Sequence, residues 1–197
     1  TESRVFDFLK HSKKQLFYQP AATAEGALGP GWAWDDYNYT FSAERSAFPI
    51  FGNLATFSFS PKGKLLKVIP EIFKDSVVFS EDPEGRRVKR AVDRNLFYVS
   101  EGPGKDSLHK VPFKTSPELT VQLLADTLQR KIALLPKEYI FQPDQVIYSV
   151  ATDSLYKEML QDSDNLIAEQ LLLLASQEQL GSMSTGKIID HSKKAFL

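Results

Sequence analysis

The chain has 197 residues, 42% of them hydrophobic, 12% aromatic and 25% charged, an ordinary globular composition that excludes low-complexity disorder, collagen and a pure coiled coil. With 24 basic and 25 acidic residues the formal net charge is -1, so no global basic field exists to hold a nucleic-acid backbone. Cysteine is absent, which excludes disulfides, thiolate-bound zinc, iron–sulfur clusters and cysteine nucleophiles and suits either cytoplasm or periplasm.

The start, Thr1-Glu2-Ser3-Arg4, has neither an initiator Met nor a basic segment followed by an apolar one, and is expected to belong to a processed or truncated chain. The longest apolar run, Leu171 to Ala175, is far too short to span a membrane.

Up to about residue 53 the chain is aromatic and turn-rich. Gly29-Pro30-Gly31 leads into Trp32-Ala33-Trp34-Asp35-Asp36-Tyr37-Asn38-Tyr39. Two tryptophans at i and i+2 point the same way in an extended chain, and beside Gly/Pro turns they are expected to anchor a core. Adjacent carboxylates at Asp35 and Asp36 project in different directions, so no metal is expected there.

From about 54 to 115 the pattern is β. Leu54 to Ser60 alternates, with Ala55, Phe57 and Phe59 on one face. Pro61-Lys62-Gly63-Lys64 supplies turn chemistry, and Leu65 to Ile69 returns as the second arm of a hairpin. Asp75–Ser80, Arg86–Ala91 and Asn95–Ser100 read as further strands, separated by Asp82-Pro83-Glu84-Gly85 and Gly102-Pro103-Gly104. A small antiparallel sheet or barrel is expected. Arg86, Arg87, Lys89, Arg90 and Arg94 form a local basic cluster. It reads as a solvated strand edge that resists edge pairing in preference to a site for an anionic polymer.

The remainder is mostly helical. Ser116-Pro117-Glu118 opens a helix with a hydroxyl cap, proline at the first position and an acid in the first turn. Leu119, Leu123, Leu124 and Leu128 follow at helical spacing. Tyr139-Ile140-Phe141 and Val146-Ile147-Tyr148 read as strands. From Asp153 the pattern is helix, break, helix, break, helix. The all-apolar turn Leu171-Leu172-Leu173-Leu174 predicts a deeply buried helix, and Ser182 or Ser184 is placed to cap the last one.

Several motifs fail as chemistry. Gly181-Ser182-Met183-Ser184-Thr185-Gly186-Lys187 matches a phosphate-binding loop for seven positions. Its eighth residue is Ile188 instead of Ser or Thr, and a helix precedes it instead of a strand; it reads as a helix–helix connection. His11, His109 and His191 have no ligand spacing and read as surface or loop residues.

Ser163-Asp164-Asn165 is the only S-x-N in the chain. It falls at a break between helices, placing a hydroxyl and an amide two positions apart on a short turn with stiff elements behind. The plainer reading is that Asp162 or Ser163 caps the following helix. Ser-Asp-Asn-Leu-Ile-Ala-Glu-Gln-Leu-Leu from Ser163 resembles the second active-site motif of penicillin-binding proteins, specifically the D-alanyl-D-alanine carboxypeptidase/endopeptidase family of low molecular mass with inserted domains. Gly29 to Tyr39, Ser46 to Asn53 and Ser116 to Leu128 agree, so the resemblance covers nearly the whole chain.

The resemblance implies an α+β fold. Residues 1–150 are expected to be one or more inserted α+β modules, β-rich at about 54–115, and residues 151–197 the helical part of the transpeptidase-like catalytic domain. It implies a serine enzyme with S-x-x-K, S-x-N and K-T-G motifs, of which only S-x-N maps here. The nucleophile is expected before Thr1 and the K-T-G strand after Leu197, so the chain alone is expected to be inactive. Ser154-Leu155-Tyr156-Lys157 has the letters of the first motif but precedes Ser163 by only nine positions, on the adjoining helix, where the family places its nucleophile far earlier; Lys114-Thr115-Ser116 and Thr185-Gly186-Lys187 echo K-T-G in the wrong place or order. The implied catalytic residues are Ser163 and Asn165, acting on peptidoglycan peptides ending in D-Ala-D-Ala and, in the complete enzyme, on β-lactams. Neither metal nor organic cofactor is implied, and the implied location is periplasmic. The alternative is a non-catalytic module that binds cell wall or an envelope partner.

Overall fold

The computed structural model describes residues 3–21, 25–81, 86–103, 107–136, 139 and 146–196. In chain order the regular elements are α1 (Arg4–His11), β1 (Leu16–Tyr18), β2 (Leu54–Phe59), β3 (Leu65–Ile69), β4 (Val77–Phe79), β5 (Val88–Arg90), β6 (Phe97–Val99), β7 (Ser107–Pro112), α2 (Pro117–Leu128), β8 (Ile132–Leu134), α3 (Thr152–Asp162), α4 (Asn165–Leu180) and α5 (Thr185–Phe196). The class is α+β, with small sheets and separate helices. The chain divides into two compact units. One comprises residues 1–26, 46–48 and 116–197, the other residues 27–45 and 49–115. Its changeovers thus fall at 26/27, 45/46, 48/49 and 115/116.

The β-rich unit grows from the alternation in β2. Ala55, Phe57 and Phe59 are buried while Leu54, Thr56 and Ser58 are half-buried, as the period of two requires. β2 pairs antiparallel with β3 through the hairpin and with β7 on its other edge. β7 carries no marked alternation of its own and was not legible as a strand. In the hairpin, Gly63 has φ 75°, and a Cβ there would stand 1.5 Å from the Gly102 carbonyl oxygen; only glycine fits.

The second sheet departs from the antiparallel expectation. Its order is β4-β6-β5, with β5 antiparallel to β6 but β4 parallel to it. The stretch between β4 and β6 contains β5, and that length lets β4 enter on the far edge in the same direction as β6. Phe73, Phe97 and Phe113 join Phe57 in the core, with centroids 5.1–5.3 Å apart (Phe57–Phe97 5.1 Å, Phe73–Phe97 5.3 Å, Phe73–Phe113 5.2 Å). The Asp82–Gly85 turn lies outside the described residues, as does Gly104 of the next one.

Two expectations for this unit are overturned. Trp34 is 75% exposed: the chain turns into a short 3-10 helix at Trp34–Asp36, so the tryptophans do not share an extended face. The basic cluster is not a uniformly solvated edge. Arg90 is 2% exposed. Its Nε donates to the Pro112 carbonyl at 2.8 Å and Nη1 to the Ala91 carbonyl at 2.8 Å, while its backbone N–H donates to Asn38 Oδ1 at 2.7 Å. Strand alternation points Arg90 inward with Val88, and backbone carbonyls satisfy it there. Burial lowers the Arg90 pKa from its ordinary value, with Glu44 acting in the opposite sense. Glu44 itself is buried and accepts from Thr115 N–H at 2.7 Å and Thr115 Oγ1 at 3.1 Å.

In the helical unit, β1 and β8 form a two-stranded parallel sheet. α2 starts as its sequence dictates: Ser116 accepts from the Leu119 N–H, Pro117 occupies the first turn, and Leu123, Leu124 and Leu128 are buried. Arg130 ties the end of α1 to α2, donating to the carbonyls of Leu9 at 2.7 Å and Lys14 at 2.6 Å. Val146 to Tyr148 is exposed and irregular instead of a strand, with no ladder partner among the described residues; Ile140 and Phe141 lie outside the described residues. The three C-terminal helices occur as expected, but α4 is not buried all round. Leu166 and Leu173 are buried, whereas Leu174 is 54% exposed, because one residue turns the side chain about 100° away from the packed stripe. Among the described residues no helix is long and apolar enough to cross a membrane.

Replacing Arg90 with Met keeps an apolar stem but leaves the Pro112 and Ala91 carbonyls without their donor. Urea unfolding should show a loss of about 2–4 kcal/mol; an unchanged midpoint would mean the guanidinium bonds contribute nothing. Glu101 accepts from Lys64 Nζ at 2.9 Å and Leu65 N–H at 2.7 Å, and these bonds, Lys64 first, hold its carboxyl below the ordinary carboxylate range. A folded-state value below the unfolded one gives stabilisation present above the unfolded value, about 4.3, and lost as pH falls through the folded value. The stability difference between wild type and Glu101→Gln should therefore be constant above about pH 5.5 and shrink toward acid, measured by urea unfolding between neutral and acid pH.

Candidate functional site

α3 and α4 are joined by two residues, Ser163 and Asp164. The reversal is possible because Ser163 takes the left-handed conformation, φ 51° and ψ 45°, and its N–H closes on the Met159 carbonyl. Asp164 N–H donates to the same carbonyl at 3.0 Å. Asp164 then caps α4: its Oδ1 accepts from the Ile167 N–H at 2.8 Å, at the end of the helix where an anion is favoured. The cap is thus Asp164 and not Asp162 or Ser163. Because Asp164 takes the capping role, the Ser163 hydroxyl is not consumed by it; among the described residues this hydroxyl has no hydrogen-bond partner. Ser163 and Asn165 are both exposed and flank the cap, Ser163 at the end of α3 and Asn165 as the first residue of α4. The structure brings the two expected site residues together at one helix start.

Bracing behind this corner comes from residues that no local pattern marks. Gln170 Nε2 donates to the Ser46 carbonyl at 2.8 Å. At the other end of α4 the buried Ser176 hydroxyl donates to the Ser182 carbonyl at 2.7 Å and accepts from Ser184 N–H at 3.1 Å. Glu25 accepts from Ser184 Oγ at 3.0 Å, Thr185 N–H at 2.6 Å and Thr185 Oγ1 at 2.7 Å. The donors at the start of α5 are therefore met by the protein's own carboxylate, a second reason why Gly181–Lys187 is a helix connection and not a phosphate cradle. Ser184 precedes α5 as expected of a cap, but Glu25, 160 residues from Thr185, does most of the capping.

The look-alike motifs are accounted for structurally. Ser154 and Lys157 are exposed on α3. Lys114 N–H donates to Asn95 Oδ1 at 2.7 Å, and Thr115 bonds to Glu44. His11 pairs with Asp7 on the surface of α1, and His191 is exposed on α5. His109 is half-buried on β7 against Phe59, and burial, followed by Arg87, lowers its pKa. Asp36 Oδ2 accepts from the Ala33 N–H at 3.2 Å, securing its turn. Among the described residues no group of three or more metal-binding side chains occurs.

No protein-family model matches the chain, and no curated protein matches it. Among solved structures it is similar to the crystal structure of penicillin binding protein 4 (dacB) from Haemophilus influenzae, with 19% identity and a TM-score of 0.58. The fold is like that of part of a penicillin-binding protein. The similarity covers 90% of this chain and 46% of that one, so the chain spans about half the length of the penicillin-binding protein it matches. At this identity the likeness is one of fold.

Helix capping makes a direct test of the corner. Asp164→Ala should cost about 1 kcal/mol, whereas Ser163→Gly should be neutral or stabilise by up to about 1 kcal/mol, because glycine relieves the left-handed backbone. Thermal unfolding of both variants reads this; the opposite order would mean that Ser163 is the cap.

Proposed function

We propose that the chain is the central part of a serine D-alanyl-D-alanine carboxypeptidase/endopeptidase of the periplasm, acting on peptidoglycan peptides. Residues 1–150 are its inserted module or modules, and residues 151–197 belong to the catalytic domain around S-x-N. The observation that carries this reading is the Ser163-Asp164-Asn165 corner, with its central residue spent on the cap and its outer two exposed, in a chain with the fold of a penicillin-binding protein.

The chemistry is acyl transfer. A serine supplied from before Thr1 attacks the carbonyl between the two D-alanines. The C–N bond breaks, D-alanine leaves as the amine, and water then releases the acyl group from the serine oxygen. Ser163 relays the proton toward the leaving nitrogen, and Asn165 hydrogen-bonds the substrate amide and helps hold the lysine of the first motif. The rigid helices behind the corner keep both groups in place. β-Lactams acylate the same serine in the complete enzyme.

A second reading, a module that binds wall polymer without catalysis, is favoured by the exposed aromatic residues of the β-rich unit.

Labelled penicillin separates the two. The 197-residue chain should take no label. The complete protein should take one label per molecule, and Ser163→Ala should slow that acylation by about 10²–10⁴-fold without lowering thermal stability. Stable labelling of Ser154 in the 197-residue chain, or no labelling of the complete protein, would overturn the catalytic reading.

A further inference from the structure

The β-rich unit carries a stack of planar groups that its own core does not use. The Arg86 guanidinium carbon stands 4.1 Å from the centroid of the Tyr39 ring. Tyr39 in turn stacks on Phe41, with centroids 5.4 Å apart and planes inclined by 17°. Tyr39 is 43% exposed and Phe41 45%. Trp34 lies in the same short segment and is more exposed still. Asp35 and Thr40 are exposed in the same segment, whereas Asn38 is buried there on the Arg90 N–H and Asp36 accepts from the Ala33 N–H.

Arg86 differs from the other arginines of its cluster. Arg87 donates to the carbonyls of Gly63 and Gly102, Arg90 is buried on Pro112 and Ala91, and Arg94 pairs with Asp93. For Arg86, the contact with Tyr39 is the interaction present, and among the described residues no carboxylate pairs with it. Stacking fixes the plane of a guanidinium while its N–H edges stay available for a carboxylate in bidentate geometry. A cation oriented this way, with no carboxylate on it among the described residues, is complementary to an anion from outside.

The rings narrow the choice of anion. Exposed aromatic faces are costly in water and mark contact surfaces. Here an exposed carboxylate and an exposed hydroxyl, Asp35 and Thr40, lie in the same segment, which suits a ligand with apolar C–H faces and a polar rim. Asp35, exposed in the same segment, opposes a dense phosphate backbone. A pyranose ring bearing a carboxylate has the required combination: a C–H face for an aromatic ring, hydroxyls for the polar neighbours and a carboxylate for Arg86.

We propose that Arg86, Tyr39 and Phe41, with Trp34, form a binding surface for a carboxylate-bearing sugar chain. This deepens the wall-binding reading and rests on it only for the first probe; penicillin acylation of the complete protein tests the catalytic reading separately. The experiment is calorimetric titration of the 197-residue protein, accompanied by tryptophan fluorescence. The probes are an oligosaccharide containing muramic acid, a uronic-acid oligosaccharide and a neutral N-acetylglucosamine oligomer. Binding of the muramic-acid probe should shift the fluorescence to the blue. Arg86→Gln should weaken the acidic sugars about tenfold and leave the neutral oligomer unchanged, Arg86→Lys should fall between, and Trp34→Ala should weaken all that bind. A stronger response to the uronic-acid probe than to the muramic-acid one would keep the surface and move its source away from the wall. Equal binding of acidic sugars by wild type and Arg86→Gln, or no binding of any probe up to about 10 mM, would overturn the proposal, provided circular dichroism shows the variants folded.

Discussion

The reversal between α3 and α4 is the constraint on which the candidate site depends. Two residues turn the chain, and the conformations they need are opposite in kind. Ser163 accepts a left-handed backbone so that α3 can stop, and Asp164 returns to the extended region so that its carboxylate can reach the Ile167 N–H. Once Asp164 is committed to the helix, the directions of Ser163 and Asn165 follow from the backbone. Bracing along α4 by Gln170 on Ser46, and at the α4–α5 junction by Ser176 and Glu25, converts a local turn into a rigid corner. Preorganised polar groups on stiff supports are what the proposed acyl transfer would require.

The β-rich unit solves a different problem. Its strands are short and its loops long, so the aromatic cluster of Phe57, Phe73, Phe97 and Phe113 would be surrounded by loop backbone in need of partners. Buried polar side chains supply them. Arg90 serves the Pro112 and Ala91 carbonyls, Asn53 Nδ2 donates to the Glu44 carbonyl at 2.7 Å, and Asn53 Oδ1 accepts from Ile50 N–H at 3.2 Å. Each holds an irregular segment against the sheets. The result is a firm platform whose surplus aromatic residues face outward.

What could be seen in the sequence was what depends on neighbours in the chain. The alternation of Ala55, Phe57 and Phe59, the Ser116-Pro117 helix start and the two breaks among the C-terminal helices are short-range features, and the structure reproduces them. The misses are long-range. A charge in a basic run reads as solvated, and Arg90 escapes that rule only because carbonyls 1 and 22 residues away converge on it. The parallel entry of β4, the capping of α5 by Glu25 and the exposure of Leu174 depend likewise on tertiary partners that no periodicity encodes. Trp34 failed for a local reason, a 3-10 turn where an extended segment was expected. At the candidate site the letters S-D-N mark the turn between α3 and α4, whereas the choice of Asp164 over its neighbours as the cap depended on backbone geometry.

The decisive question is whether Ser163 and Asn165 face a serine nucleophile in the complete protein. The direct measurement is a crystal structure of that protein after reaction with a penicillin. The expected result is an acyl adduct on a serine upstream of Thr1, with Ser163 Oγ or the Asn165 side-chain amide within hydrogen-bonding reach, about 2.6–3.2 Å, of the adduct or of the lysine that serves it. An adduct remote from the α3–α4 corner, or none at all, would contradict it.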